Sequence, residues 1–167
     1  TLGYIDCAAE ILAQADDMNV EIDHIVVACG SQGTQAGLLV GLADANAAVP
    51  VLGISVGRSQ AELERKVLSL AQDTVAYTGL TATINPDSVV CDDSFFGEAY
   101  GQPTDAMIEA VTLRARLEGL LLDPVYTGKA FYGMVNEILK GDQGCFAGAK
   151  DIVFIHTGGL FGVFPQQ

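Results

Sequence analysis

From His24 to Ala43 the chain runs twenty residues without Asp, Glu, Lys or Arg. A stretch of that length and polarity has two solutions: a membrane span, or a buried strand, loop and helix in succession. Gly30, Gly33, Gly37 and Gly41, with Ser31, Gln32, Thr34 and Gln35 between them, decide for the second. They divide the run into an apolar strand, His24–Cys29, a glycine-rich turn, and a helix through Leu42. An unbroken apolar strand is what a parallel sheet with both faces covered requires, because neither side of the strand meets water.

The rest of the chain alternates in the same way. A first helix is predicted from about Leu2 to Ala15, with Tyr4, Ala8, Ile11, Leu12 and Ala15 on one face and Asp16, Asp17 and Asn19 ending it. Val51–Val56 reads as a second strand. Ser59 and Glu62 have capping-box spacing ahead of a helix with Leu63, Val67, Leu70 and Ala71 on its buried stripe. Ser88–Cys91 is a short third strand. Thr104-Asp105 opens a helix that Gly119 closes. Asp123-Pro124 marks a boundary, since a residue before proline avoids the helical region. The next helix carries Phe131, Met134, Val135 and Ile138 and stops at Lys140-Gly141, and Ile152–His156 is the last strand. Strands interleaved with helices predict an α/β fold with a parallel sheet and helices on both faces. No linker divides the 167 residues, so a single segment is expected. Its start inside a helix, without Met, predicts the middle of a longer polypeptide.

Composition excludes several classes of function. Eight Lys and Arg against 21 Asp and Glu give a net charge of −13, which excludes the basic footprint that nucleic acid or an anionic membrane demands. Half the residues are hydrophobic, too many for a disordered acidic tail. Cys7, Cys29, Cys91 and Cys145 form no CxxC pair and have no His at ligand spacing, so neither a disulfide framework nor a metal site is expected. Asp6 and Glu10 interrupt the opening residues, and no signal peptide is expected there. The reading is a soluble, cytoplasmic protein with free thiols.

In an open parallel sheet ligands bind at the carboxyl ends of the strands. Gly30-Ser-Gln-Gly-Thr-Gln-Ala-Gly37 sits there, between a strand and a helix start whose free amides and positive dipole end suit a phosphate. The spacing is neither a Walker loop, because no Gly-Lys-Ser/Thr follows, nor a dinucleotide fingerprint, because the next strand ends at Val56-Gly-Arg58 without a carboxylate. The turn's spacing is compatible with phosphate binding and with a structural turn alike, and a dinucleotide module is disfavoured.

Four separated segments together carry more. They are Gly30-Ser-Gln-Gly-Thr-Gln-Ala-Gly-Leu38, Tyr100-Gly-Gln-Pro103, Glu118-Gly-Leu-Leu-Leu-Asp-Pro-Val-Tyr-Thr-Gly-Lys129 and Phe154-Ile-His-Thr-Gly-Gly159. In order and spacing the chain resembles the C-terminal half of the D-cysteine desulfhydrase and aminocyclopropane-carboxylate deaminase family, pyridoxal-phosphate enzymes of the tryptophan-synthase-β fold type. The resemblance implies that Gly30, Ser31, Gln32, Gly33 and Thr34 hold the cofactor 5′-phosphate and that Thr157 meets the pyridine nitrogen. It implies that Tyr100 and Tyr126 face the substrate. Thr127 and Thr157 would set substrate choice, since the deaminase branch typically carries Glu and Leu at those positions. A neutral threonine at the ring nitrogen favours β-elimination from a cysteine-like amino acid. D-cysteine is then the first expected substrate, L-cysteate the second, and the cyclopropane amino acid the third.

The resemblance also implies what is missing. The lysine that forms the Schiff base and the segment that binds the substrate carboxylate belong to the family's N-terminal half, so that half of the same protein is required, and a homodimer is expected. Lys66, Lys140 and Lys150 read as surface charges, and Lys129 is not the family's Schiff-base position. The non-catalytic alternative is an inactive fragment or half of a split enzyme. Of the remaining polar residues, His156 reads as a buried histidine with a backbone partner and His24 as structural. Asp92 and Asp93 point apart on a strand end, and Cys29 fills space beside the loop.

Overall fold

The alternation of burial along β1 (His24–Cys29) fixes how the molecule is layered. Successive strand residues point to opposite faces. Ile25, Val27 and Cys29 enter one apolar core, and Val26 and Ala28 enter another. In the structure, a computed structural model that describes residues 1–163, β1 pairs in parallel with β2 (Val51–Ser55) on one side and with β4 (Ile152–Phe154) on the other. β3 (Val89–Asp92) pairs in parallel with β2, giving the order β3-β2-β1-β4. The expected parallel α/β sheet is present. β1 has the expected bounds and β3 is shifted by one residue, whereas β2 and β4 are shorter than predicted because Val56, Ile155 and His156 already belong to the loops that leave the sheet.

Three helices, α1 (Leu2–Met18), α2 (Gly33–Asp44) and α3 (Gln60–Thr78), cover the face that carries Ile25 and Val27. α2 is apolar all round because sheet, α1 and α3 enclose it. α1 crosses it so closely that a Cβ at Gly41 would lie 2.6 Å from the Ile5 carbonyl oxygen and 2.7 Å from Ala8. The opposite face is covered by α5 (Thr127–Leu139), with α4 (Asp105–Glu118) packed on α5 rather than on the sheet. Ala130 and Phe146 close this second core over Val26, Leu52, Ile54 and Val56.

Two local expectations are corrected. α1 runs through Asp16 and Asp17 and ends where Asn19 takes the left-handed conformation (φ 54°), so the cap geometry and not the charge stops it. The capping box of Ser59 and Glu62 does not form. Ser59 makes no side-chain cap; Asp93 accepts the Gln60 N–H at 2.8 Å instead, and Glu62 pairs with Arg58 and Lys66, each at 2.6 Å. α4 behaves as expected, with Thr104 accepting the Met107 N–H at 3.2 Å and Gly119 (φ 67°) ending it. No helix among the described residues is long and apolar enough to cross a membrane.

Candidate functional site

The carboxyl ends of β1, β2 and β4 open into one cleft. It consists of two adjoining cavities of about 370 and about 470 Å³ that share Gly30, Ser31 and Tyr126. The glycine-rich turn forms its floor. Gln32 takes a left-handed conformation (φ 67°, ψ −20°), and its Nε2 donates back to the Gly30 carbonyl at 2.5 Å. The first intrahelical bond, Ala36 N–H to the Gln32 carbonyl, is made at 3.0 Å, and the amides before it have no partner within the helix. They stand at the positive end of the α2 dipole beside the Ser31 and Thr34 hydroxyls. None of the described residues that line the cleft is acidic, in a chain of net charge −13. Hydroxyls, free amides and the absence of a lining carboxylate suit a phosphate group.

The six residues expected to hold that phosphate and its ring therefore divide. Gly30, Ser31, Thr34 and Thr157 line the smaller cavity. Gln32 and Gly33 do not; Gln32 stiffens the turn and Gly33 faces the start of α1, 3.3 Å from Thr1 Oγ1 by its virtual Cβ. Thr157 follows β4 on an irregular segment whose Gly158 and Gly159 take φ of 101° and 92°. His156 anchors that segment. Its Nε2 donates to the Leu121 carbonyl at 2.8 Å and its Nδ1 accepts from the Gly158 N–H at 3.1 Å. The backbone partner was anticipated, but the ring is exposed rather than buried, because β4 is a sheet edge.

The wall opposite is aromatic. Tyr100 comes from the loop between β3 and α4, and Tyr126 is the N-cap of α5. Their hydroxyls are hydrogen-bonded to each other, with ring centroids 5.9 Å apart at 74°. That bond, and then burial, push the Tyr126 phenol above its ordinary range. A Cβ at Gly30 would lie 3.3 Å from the Tyr126 ring, so the absence of a side chain lets floor and wall meet.

Asp123 holds Tyr126 in place. Its carboxylate is buried and accepts the N–H groups of Val125, Tyr126 and Thr127, each at 2.8 Å, and the Thr127 hydroxyl at 2.7 Å. This fixes the first turn of α5, and Gly159 packs against the same carboxylate. Thr127 is thus fully buried with its hydroxyl committed to Asp123, and it does not line the cleft. The sequence reading used Asp123 only as a boundary; the Asp-x-x-x-Thr spacing at the start of a helix was the signal available. Two further residues were missed. Gln35 is fully buried and donates to the Val90 carbonyl at 2.8 Å, and Arg58 lines the larger cavity. Asp92 and Asp93 do separate: the first accepts from the Ser94 N–H and the second from Gln60. Cys29 is buried, and all four cysteines are free.

Lys66, Lys140 and Lys150 lie at the surface, whereas Lys129 is 1% exposed and faces no cavity of the cleft. Its Nζ donates to the carbonyls of Val56 (3.3 Å) and Ala99 (3.0 Å). Among the described residues no cluster of three or more His, Cys, Asp and Glu side chains is placed to hold a metal ion.

The sequence profile of the family described as "Pyridoxal-phosphate dependent enzyme" matches residues 1–158. D-cysteine desulfhydrases of Salmonella typhi and Salmonella newport (strain SL254) are each 44% identical over 166 residues, covering 99% of this chain and 48% of the relative. The chain thus spans about half the length of these relatives. A crystal structure described as that of an ACC deaminase homologue superposes with a TM-score of 0.84 at 38% identity, over 98% of this chain and 46% of the other.

Proposed function

This chain belongs to the pyridoxal-phosphate-dependent enzymes, and from that premise we propose that it is the C-terminal part of a lyase that eliminates the β-sulfur substituent of a cysteine-like amino acid. The observation that carries the reading is the hydrogen-bonded pair Tyr100–Tyr126, which faces the phosphate-type floor Ser31–Thr34 across the cleft. The 44% identity to D-cysteine desulfhydrases makes D-cysteine the first substrate to test.

In this reading the Ser31 and Thr34 hydroxyls and the first amides of α2 hold the cofactor phosphate. The Thr157 hydroxyl, at the end of β4, stands where it can meet the ring nitrogen. When bound, the cofactor supplies the electron sink for the carbanion at the substrate α-carbon. The Tyr126 and Tyr100 hydroxyls are hydrogen-bonded to each other, and one of them protonates the departing sulfur as its bond to the β-carbon breaks. With its phenol raised, Tyr126 is protonated at neutral pH, as a group that donates to the departing sulfur must be. The released three-carbon enamine then hydrolyses to pyruvate and ammonia. Thr127 bears on substrate choice only through Asp123 and the Tyr126 turn, not by touching the substrate.

The lysine that anchors the cofactor lies in the part of the protein that precedes this one. Two features support that requirement: the chain spans about half of its relatives, and Lys129 is spent on two backbone carbonyls. The half-buried apolar residues of β4, an edge strand, and the exposed Leu120 and Leu121 would be covered by the remaining half. A homodimer of the whole protein belongs to the same reading and is checked by sedimentation.

A second reading, L-cysteate as substrate, is favoured by one observation. Arg58 lines the larger cavity beside Tyr100, where a guanidinium can receive a sulfonate, although it also pairs with Glu62 at 2.6 Å. Product analysis of the full-length protein separates the readings, since D-cysteine gives sulfide, cysteate gives sulfite, and the cyclopropane substrate gives 2-oxobutyrate. Finding none of the three rejects the function. Tyr126→Phe is expected to lower turnover by about tenfold or more, and near-normal turnover removes the tyrosine from the mechanism.

A further inference from the structure

Lys129 carries a charge into the interior, and none of the roles assigned above uses it. The residue is 1% exposed, and none of the ion pairs among the described residues includes it. A buried cation without a carboxylate is costly to keep. Its contacts are specific. Nζ donates to the carbonyl of Val56, where the chain leaves β2, and to the carbonyl of Ala99, and it stands 6.0 Å from the centre of the Phe96 ring.

Both acceptors adjoin the cleft's aromatic wall. Ala99 is the residue before Tyr100, and Val56 lines the larger cavity with Tyr100 and Tyr126. The segment from Phe95 to Tyr100 belongs to no helix or strand. One end is held by Phe95, edge-on to Tyr132 at 5.9 Å. The other is pressed on Gly57, where a Cβ would lie 2.8 Å from the Cβ of Tyr100. Between them the Lys129 ammonium joins the segment to the sheet. Lys129 is also one helical turn beyond Tyr126 on α5, so the element that presents one tyrosine carries the tether of the other.

We propose that Lys129 is a positioning residue: its buried ammonium ties the Tyr100 segment to the end of β2 and so fixes the Tyr100 hydroxyl against Tyr126 over the cleft. A methylene chain that only filled space would need no donors at its end. Two carbonyls from separate segments, met by one flexible amine, constitute a polar tether.

The inference rests on the reading that the two tyrosines act on the substrate, and the test keeps the two apart. In the full-length protein, Lys129→Met, Lys129→Arg and Tyr126→Phe are compared by steady-state kinetics, cofactor titration and hydrogen exchange of the peptide spanning residues 95–101. Lys129→Met is expected to lower kcat by about tenfold, with KM and cofactor affinity within about threefold, since only the transition-state alignment is lost. Exchange of the 95–101 peptide should quicken severalfold. Lys129→Arg, which keeps charge and donors, should recover part of both. Unchanged exchange in Lys129→Met overturns the tether whatever the turnover does. Faster exchange with turnover within about twofold of the parent overturns its importance for Tyr100. If Tyr126→Phe keeps full turnover, the reading of the site fails, while the exchange result still decides the tether. Should Lys129→Met not fold, Lys129→Gln, which retains a shorter donor, carries the same measurements.

Discussion

The two faces of the sheet are built differently. Against Ile25, Val27, Cys29, Val51, Val89 and Cys91, three helices close a core in which Leu38, Val40, Leu63 and Val67 are almost wholly out of water. Burial of each such side chain contributes roughly 1.5–3 kcal/mol. Against Val26, Leu52 and Ile54 stand α5 and Phe146, with Phe95, Met134, Ile152 and Phe154 only partly covered. α4 turns Leu113 and Leu117 outward. The cleft takes its floor from the first face, through the start of α2, and its aromatic wall from the second. The floor is held by close packing, the tyrosines by the polar tethers Asp123 and Lys129.

The comparison breaks first at the seam of the packed face. Gly41→Leu must displace the Ile5 carbonyl and Ala8, because even a Cβ would lie within 2.7 Å of both. A loss of about 3 kcal/mol is expected in denaturant unfolding, with the cleft chemistry impaired only through instability. A loss below about 1 kcal/mol would mean that α1 can move off α2, and that the two faces are alike.

Thiol reactivity sharpens the contrast without perturbing the fold. Cys29 and Cys91, on the packed face, should stay unlabelled by maleimide until the protein unfolds. Cys145, beyond α5, is exposed, yet burial of its sulfur and the neighbouring Glu137 carboxylate push its thiol up to about 11 from 9.0. At pH 8 it then offers about a hundredth of the thiolate of an ordinary cysteine, and its labelling should be slower in proportion. Labelling at the free-thiol rate would show that the segment after α5 does not shield the sulfur.

On the open face, Asp123→Ala leaves three backbone N–H groups and the Thr127 hydroxyl without their acceptor. Buried donors stripped of their partner cost about 2 kcal/mol here. Turnover should fall with stability because Tyr126 loses its turn. Asp123→Asn, which retains one carbonyl oxygen, should lose less of both. If Asp123→Ala is neutral in unfolding, the open face does not depend on polar tethers.

What the sequence made legible follows the same division. β1 and β2 announced themselves because strands covered on both faces have no polar positions to confuse the pattern. The turn after Cys29 was recognisable as a candidate site from its place between strand and helix. Tyr100 and Tyr126 were singled out only through the resemblance, since a tyrosine beside Gly or Pro has no signature of its own. Lys129 and Asp123 stayed hidden for a common reason. In sequence, Lys129 is weighed only against the Schiff-base position and Asp123 only as a boundary before proline, and only tertiary placement makes either a buried tether. The capping box at Ser59 shows the converse: its spacing was right, but Asp93, distant in sequence, took the amide, and Arg58 and Lys66 took Glu62.

The smallest expected effect is a change of slope in stability against pH, and it bears on the Lys129 tether and on the tyrosine pair at once. Burial lowers the Lys129 ammonium below its usual 10.5. Between its folded value and 10.5 the unfolded chain holds a proton that the folded one has lost, so Lys129 makes stability rise with pH through that window. Tyr126 is raised above 10.0, chiefly by its bond to Tyr100. Its contribution is fully present below 10.0 and is lost as pH climbs through the raised value. Other lysines and tyrosines titrate in the same range, so the informative quantity is each variant's curve subtracted from the parent's, measured by denaturant unfolding from pH 8 to 11. Tyr126→Phe should remove the falling component alone, whereas Lys129→Met should remove the rising one and, by loosening the Tyr100 bond that raises Tyr126, weaken the falling one as well. If the Lys129→Met difference curve is flat, the ammonium is hydrated in the folded protein. The Tyr100 segment then rests on packing, as the floor of the cleft does.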